Sequence, residues 1–451
     1  MLTALRDPQA HTKLLSIAVP LILANITTPL LGLVDTAILG RMNGIHYLAG
    51  AAIGSLILTQ LYWVCGFIKM SMTGLSAQSH SKDMLARSKI LIQGCALAAV
   101  LAVIILLIQT PFLQAGLWFA QAEPEVVQST EHYFYVRVWG APAALINLAI
   151  IGWLIGQQKG RLILALQLAV NLLNIGASLS FVYWFDMGVK GVAAGTLVAE
   201  YGMTLMALYW INRRYVRLTA LKKWFYLQSI KPLLSLNSDM LVRNLALQFT
   251  LAFIILKGAQ FGTQATAINA ILMQFFALIA LGLDGIANAV EALVGELKGK
   301  KDRAKRYWQD IGEISLSDQV MLGIFYSSMT ALLYTLIFWF AGASVVALLT
   351  DQQILIDAAL EYQWVILLLP LIAHWCFLFD GVYVGLTQGK IMRNNMLIST
   401  LFVFLPCYLL LSALGNQALW LAMFAFLAAR GIGLGAHFWW AVVPKQNQTL
   451  S

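Results

Sequence analysis

The run 97-LAAVLAVIILLI-108 decides the class of structure. No position in it is polar, so the apolar/polar alternation of a barrel strand is absent. Extended from Lys89 to Thr110, the run suffices to cross a bilayer, for which about 20 mostly apolar residues are needed. Backbone groups in lipid must be satisfied internally, and a helix does this within one segment.

The rest of the chain reads the same way. Of its 451 residues 60% are hydrophobic and 11% charged, against about 25% charged in an ordinary soluble domain, and the mean hydropathy is +0.77. The fold class expected is an all-α integral membrane protein. Runs bounded by charge, Gly or Pro place spans near 14–39, 48–69, 89–110, 131–155, 163–184 and 190–211, then near 233–257, 264–290, 318–341, 360–386, 395–413 and 418–440. That makes twelve transmembrane helices. The first run is too long for a signal-peptide core and lacks a small-residue cleavage pattern, so it is expected to stay as a helix.

A net charge of +9 invites a nucleic-acid reading, but the charges lie in loops and no nucleic-acid partner is expected. Of 29 Lys and Arg residues, 23 fall in the N-terminus, the even-numbered loops and the C-terminus; the odd loops hold only Arg41, Lys190 and Lys257. Arg137, Arg243 and Arg430 fall within spans. The positive-inside rule therefore predicts both termini in the cytoplasm, with the basic loops at 213–231 and 298–306 solvated and touching anionic membrane lipid. The four cysteines (Cys65, Cys95, Cys376, Cys407) sit in apolar runs without C-x-x-C spacing, which indicates neither disulfides nor zinc.

The fourth span ends 152-GWLIGQQKGR-161 and the tenth ends 381-GVYVGLTQGK-390, so Gly152, Gly156 and Gly160 return, equally spaced, as Gly381, Gly385 and Gly389. More weakly, 14-LLSI-17 recurs as 233-LLSL-236. Two lobes follow, 1–220 (spans one to six) and 221–451 (spans seven to twelve). Six spans per copy is an even number, so the copies should be related by a pseudo-two-fold axis along the membrane normal. Transporters built this way bind substrate near mid-membrane and expose it alternately. The pairs Gly152/Gly156 and Gly381/Gly385 are read as close-packing devices.

A charge at mid-bilayer costs about 2.5 to 3.5 kcal/mol even on mild scales, so each retained one is a functional candidate. Asp35, in 26-ITTPLLGLVDTAILG-40, has no basic residue in its own run, and Pro20 and Pro29 upstream loosen the helix and allow it to bend. It is expected to titrate, taking a cation from one face and releasing it at the other. Asn174 and Ser178 share one helical face, and so do Thr196 and Glu200; these polar faces either surround Asp35 as a cation-coupling shell or hold helices together. Asp239 and Arg243, four apart, can pair along one helix, leaving Asp284, Asp380 and Arg430 to complete a charge network in the second half. Asp380, beside Gly381, is the exception expected to titrate, and His374 a satisfied buried histidine.

No P-loop, H-E-x-x-H or G-x-S-x-G occurs, so ATP hydrolysis is not expected, nor is any enzyme activity or cofactor. The letters 431-GIGLGA-436 lie inside the last apolar span and read as helix packing.

Twelve spans in two halves with a lone acid in the first resemble the multidrug and toxic compound extrusion (MATE) transporters. Pro20 and Asp35, 237-NSDMLVRN-244, 284-DGIANAVEALVGELKG-299 and 378-LFDGVYVGLTQGK-390 are similar to its DinF-like branch, nearly end to end. The resemblance implies a cation-driven antiporter of a bacterial inner membrane that expels amphipathic, mostly cationic or aromatic compounds, with two lobes forming a V and a monomeric state. Asp35 matches the family's first-helix carboxylate, and Asn174 and Thr196 match polar positions of its cation site. Ser178 stands where many relatives carry aspartate, which favours H⁺ over Na⁺ as coupling ion. The alternative is a flippase of lipid-linked precursors, which would need several cationic residues for a pyrophosphate; the first half offers Arg137.

Overall fold

The computed structural model describes residues 3–42, 44–215, 225–307, 315–349 and 352–444. Among these are twelve helices long and apolar enough to cross a membrane. In chain order they are α1 (Pro8–Leu39), α2 (His46–Ser79), α3 (Met84–Leu107), α4 (Pro124–Gly156), α5 (Gly160–Trp184) and α6 (Gly188–Asn212), then α7 (Gln228–Ala259), α8 (Thr263–Asp302), α9 (Leu316–Leu348), α10 (Gln363–Gly385), α11 (Gly389–Leu414) and α12 (Asn416–Val442). No strand occurs among the described residues. Every expected span is found. Several run past the apolar segment that predicted them, because a helix continues into water where side chains support it. The helix of α8 reaches Tyr307, and its polar end carries the i,i+4 pairs Lys300–Glu296 (3.0 Å) and Lys298–Asp302 (2.9 Å). Of the basic residues used for topology, Arg217, Lys222, Lys223 and Lys445 lie outside the described residues.

Chain breaks follow local chemistry. Asp83 caps α3, its carboxylate accepting from the Ala86 amide at 3.2 Å. Pro124 opens α4, where its missing N–H costs nothing. The repeat reappears as one turn built twice. After α4, Gln158 adopts φ 58°, its amide donating to the Ile155 carbonyl and that of Lys159 to Leu154. After α10, Thr387 adopts φ 54°, with Thr387 donating to Val384 and Gln388 to Tyr383. Both are Schellman ends at equivalent places in the two copies, and neither uses the glycine that usually fills the left-handed position.

The glycine pairs pack as expected. A Cβ on Gly156 would lie 2.5 Å from the Ala77 nitrogen, and one on Gly385 2.5 Å from the Glu291 carbonyl. So α4 lies backbone-to-backbone on α2, and α10 does the same on α8, the equivalent pair in the second copy.

The chain divides into two compact units, Leu23–Ser235 and Met1–Ile22 together with Leu236–Ser451. The division falls inside α1, between Pro20 and Pro29, so the start of the chain groups with its second half. Lys13 binds Glu296 of α8 at 2.8 Å, and His11 binds the Tyr326 hydroxyl of α9 at 2.8 Å. Each unit turns large apolar side chains outward, among them Leu107 in one and Phe340, Leu410 and Trp440 in the other. Helical surface of this kind belongs in lipid.

Candidate functional site: a carboxylate among neutral polar groups

Within the unit Leu23–Ser235, α1, α5 and α6 bring Asp35, Asn174 and Thr196 together. Asn174 and Ser178 are fully buried on one face of α5. Gly195 of α6 makes the approach possible, since a Cβ there would strike the Ser178 side chain. Its neighbour Thr196 then reaches both other helices. The Thr196 hydroxyl lies 3.1 Å from Asp35 Oδ2 and accepts from Asn174 Nδ2 at 3.0 Å. The same hydroxyl lies 3.2 Å from the Val192 carbonyl. It carries one proton, so it donates to one of these two oxygens at a time. Asp35 Oδ1, Asn174 Oδ1, Ser178 Oγ and Asn171 Oδ1 are buried without a hydrogen-bond partner. These four oxygens, on the facing helices α1 and α5, have no protein partner and keep capacity to accept a proton or a hydrogen bond.

Glu200, one turn beyond Thr196, has a different environment. Arg137 binds it with both forks, Nη1 to Oε2 at 2.8 Å and Nη2 to Oε1 at 2.6 Å. The guanidinium also stands 5.9 Å from the Tyr62 ring centroid. Asn147 donates to the Glu200 carbonyl at 2.9 Å and accepts from Thr204 at 2.9 Å. The structure thus joins Asp35, Asn174 and Thr196 by hydrogen bonds, sets Ser178 beside Gly195, and gives Glu200 to Arg137.

Sequence reasoning missed Asn171, whose amide donates to the Thr27 carbonyl at 3.0 Å and ties α5 to α1 about two turns before Asp35. Its position three residues before Asn174 was the available signal. Asn147, Thr204 and Tyr62 gave no signal beyond being single polar groups in apolar runs.

In the other unit the partners differ from those expected. Asp239 does not pair with Arg243 along α7; it binds Arg393 of α11 at 2.7 Å. Arg243 of α7 and Arg430 of α12 both bind Asp380 Oδ2, so the residue expected to titrate is clamped between two guanidinium groups. Packing of three helices offers each charge a better-placed partner than its own helix does. Asp284 belongs to the same unit and has partners of its own. His374 is buried and lies 3.4 Å from the Ser327 hydroxyl. Among the described residues no group of three or more His, Cys, Asp or Glu is arranged to hold a metal.

The MatE family model matches residues 20–180. The chain is 36% identical over 428 residues to the DNA damage-inducible protein F of Escherichia coli, covering 93% of this chain and 90% of that one. To the multidrug resistance protein NorM of Vibrio cholerae it is 23% identical, covering 98% and 97%. Its fold is similar to that of an outward-facing multidrug resistance MATE family transporter of the MOP superfamily, with a TM-score of 0.81 over 97% of this chain and 96% of the other, at 17% identity. Twelve spans, a repeated six-helix plan and more than one-third identity to a relative along nearly its full length agree: the chain belongs to the MATE family of secondary transporters, in the DinF-like branch.

Proposed function

We propose that this protein is a multidrug efflux antiporter in which Asp35 exchanges a proton, in preference to Na⁺, against amphipathic, mostly cationic or aromatic compounds. One observation carries the reading: Asp35 is surrounded by neutral hydrogen-bonding groups that suit both of its protonation states. Ionised, it accepts from Thr196 at 3.1 Å. Protonated, it becomes a donor. The Thr196 hydroxyl can then turn to the Val192 carbonyl at 3.2 Å and accept from the carboxylic acid, or the new O–H can serve the unpartnered Asn174 Oδ1. A carboxylate locked on a guanidinium has no such second arrangement.

A sodium ion would draw on the same oxygens, but with Asp35 as the anionic ligand and Ser178 in a neutral place the site supplies a single negative charge. The proton needs no cage of ligands, which is why it is preferred. The rival reading, a flippase for lipid-linked precursors, calls for several cationic residues around a pyrophosphate, and the spans of the first half offer Arg137. That guanidinium has both forks on Glu200.

In the cycle, the halves 1–220 and 221–451 alternate access. Uptake of a proton on Asp35 from the outer face rearranges the proline-bearing α1 and displaces the drug outward. The carrier, protonated and free of drug, then turns inward and releases the proton. Exchanged for an uncharged aromatic compound, the inward proton moves one net charge and supplies about 2.3 kcal/mol per 100 mV plus the pH gradient; exchanged one for one against a monovalent cation it moves no net charge, and the pH gradient alone drives export. The setting is a bacterial inner membrane with both termini in the cytoplasm, and the working unit is a monomer. The deciding test is reconstitution in liposomes with a pH gradient or a sodium gradient imposed separately while efflux of a fluorescent cation is followed. Efflux driven by sodium alone, or retained in Asp35→Asn, would refute the proton assignment.

A further inference from the structure

The unit Leu23–Ser235 contains a concave site away from its basic connections. A cavity of about 610 Å³ opens where the α1–α2 and α5–α6 connections meet the early turns of α4, lined by Arg41, Ser129, His132, Tyr183, Asp186 and Lys190 among others. The odd-numbered loops of the whole chain hold three basic residues, and two of them face this one cavity. Neither Arg41 nor Lys190 forms a salt bridge among the described residues. Scattered solvated charges would not converge in this way, and two unpaired cations lining one hollow attract an anion.

Three further features say what kind of anion. The long helix of α6 begins here, and Gly188, Val189 and Lys190 in its first turn line the cavity, where amides lack intrahelical partners and favour phosphate oxygens. Asp186, held at φ 50° in the α5–α6 turn, adds one negative charge beside the two positive ones. Tyr183 of the lining begins an exposed aromatic run at the end of α5, with Tyr183, Trp184 and Phe185 at 59%, 83% and 66% exposure. Tyr and Trp presented this way at the end of a span mark the depth of lipid headgroups.

We infer that this cavity binds the headgroup of an amine-bearing phospholipid, its phosphate on Arg41 and Lys190 and its ammonium on Asp186. None of Asp35, Asn174, Ser178 or Thr196 lines this cavity, and Asp35 lies about two turns back along the chain from Arg41. The inference does not depend on the coupling ion or on transport.

The test uses the full-length protein, stripped of lipid in detergent and titrated with dioleoylphosphatidylethanolamine, dioleoylphosphatidylglycerol, dioleoylglycerol or sodium phosphate, with occupancy read by native mass spectrometry. Phosphatidylethanolamine should be retained in preference to dioleoylglycerol. Arg41→Ala with Lys190→Ala should weaken it about tenfold or more, as loss of charge-assisted hydrogen bonds implies. The charge-keeping pair Arg41→Lys with Lys190→Arg should retain binding, which separates lost contacts from lost folding. Asp186→Asn should erase the preference for phosphatidylethanolamine over phosphatidylglycerol. Equal retention of dioleoylglycerol, unchanged affinity in the double alanine variant, or displacement of the lipid by sodium phosphate alone would overturn the assignment, the last by making it a site for free anions.

Discussion

Glu200→Gln should destabilise the protein while leaving the hydrogen bond between Thr196 and Asp35 in place. The Arg137 and Glu200 side chains are 12% and 17% exposed, and two hydrogen bonds of 2.8 and 2.6 Å join them. Breaking a buried pair from one side costs about 3 to 5 kcal/mol, because the remaining charge is left without its partner. Partial exposure and a glutamine oxygen that still accepts one bond place the expected loss near or below the lower end, at about 2 to 3 kcal/mol. The Tyr62 ring, 5.9 Å from the guanidinium, limits the damage further. The bond from Asn147 goes to the Glu200 backbone carbonyl and survives. Removing both charges, as Arg137→Met with Glu200→Leu, should restore most of the loss, since an apolar replacement of a buried pair is often neutral. The assay is a four-member cycle of unfolding in mixed micelles titrated with dodecyl sulfate, each member also tested for proton-driven efflux. A Glu200→Gln variant within about 0.5 kcal/mol of wild type, the range of ordinary surface substitutions, would refute the structural reasoning. A double variant that is stable but no longer coupled to protons would refute it differently, by returning Glu200 to the shell around Asp35.

Asp35→Asn should fold normally, since asparagine can still accept from Thr196, while pH-gradient-driven efflux in proteoliposomes falls to background at every pH; residual pH dependence would place the coupling group elsewhere. Asp380→Ala should cost about 3 kcal/mol or more by leaving Arg243 and Arg430 buried together, with Arg243→Gln added in the same chain restoring part of it in the micelle assay. Gly156→Ala should prevent accumulation of folded protein, because its Cβ meets the Ala77 nitrogen at 2.5 Å and the Thr73 carbonyl at 2.6 Å, whereas Gly32→Ala, with nothing within 4 Å, should be tolerated; yields on gel filtration compare the two directly.

Span number and order were legible because lipid imposes one rule on every segment, and 97-LAAVLAVIILLI-108 obeys it without reference to any neighbour. The meeting of Asp35, Asn174 and Thr196 was legible in part, since an i,i+4 pattern fixes which residues share a face of α5 or α6. What a face turns toward is decided by crossing geometry, which one helix does not encode. Asp239 shows the consequence. Arg243 lies one turn away on α7, yet Arg393, which reads in sequence as a loop charge, takes the carboxylate. Arg243 and Arg430 likewise meet on Asp380 although they belong to the first and last spans of the second copy.

The two units handle buried charge in opposite ways, and that contrast bears on where coupling resides. In the unit Leu236–Ser451 with its N-terminal segment, Asp380 is held by two guanidinium groups, Asp239 by one, and Glu296 by Lys13 and Lys300. A proton arriving at Asp380 would leave Arg243 and Arg430, 6% and 5% exposed, without their counter-ion at a cost of about 3 to 5 kcal/mol, whereas Lys13 and Arg393, 49% and 32% exposed, would be taken up by water at a smaller cost. In the unit Leu23–Ser235, Arg137 and Glu200 neutralise each other, which leaves Asp35 facing a hydroxyl and amides. Rotating the Thr196 hydroxyl from the Asp35 carboxylate to the Val192 carbonyl exchanges a charge-assisted hydrogen bond of about 1.5 to 3 kcal/mol for a neutral one of about 1 kcal/mol, a difference of about 2 kcal/mol or less. Protonation at Asp35 thus disturbs its surroundings less than protonation at Asp380, and that difference supports the proposed coupling role of Asp35 over Asp380.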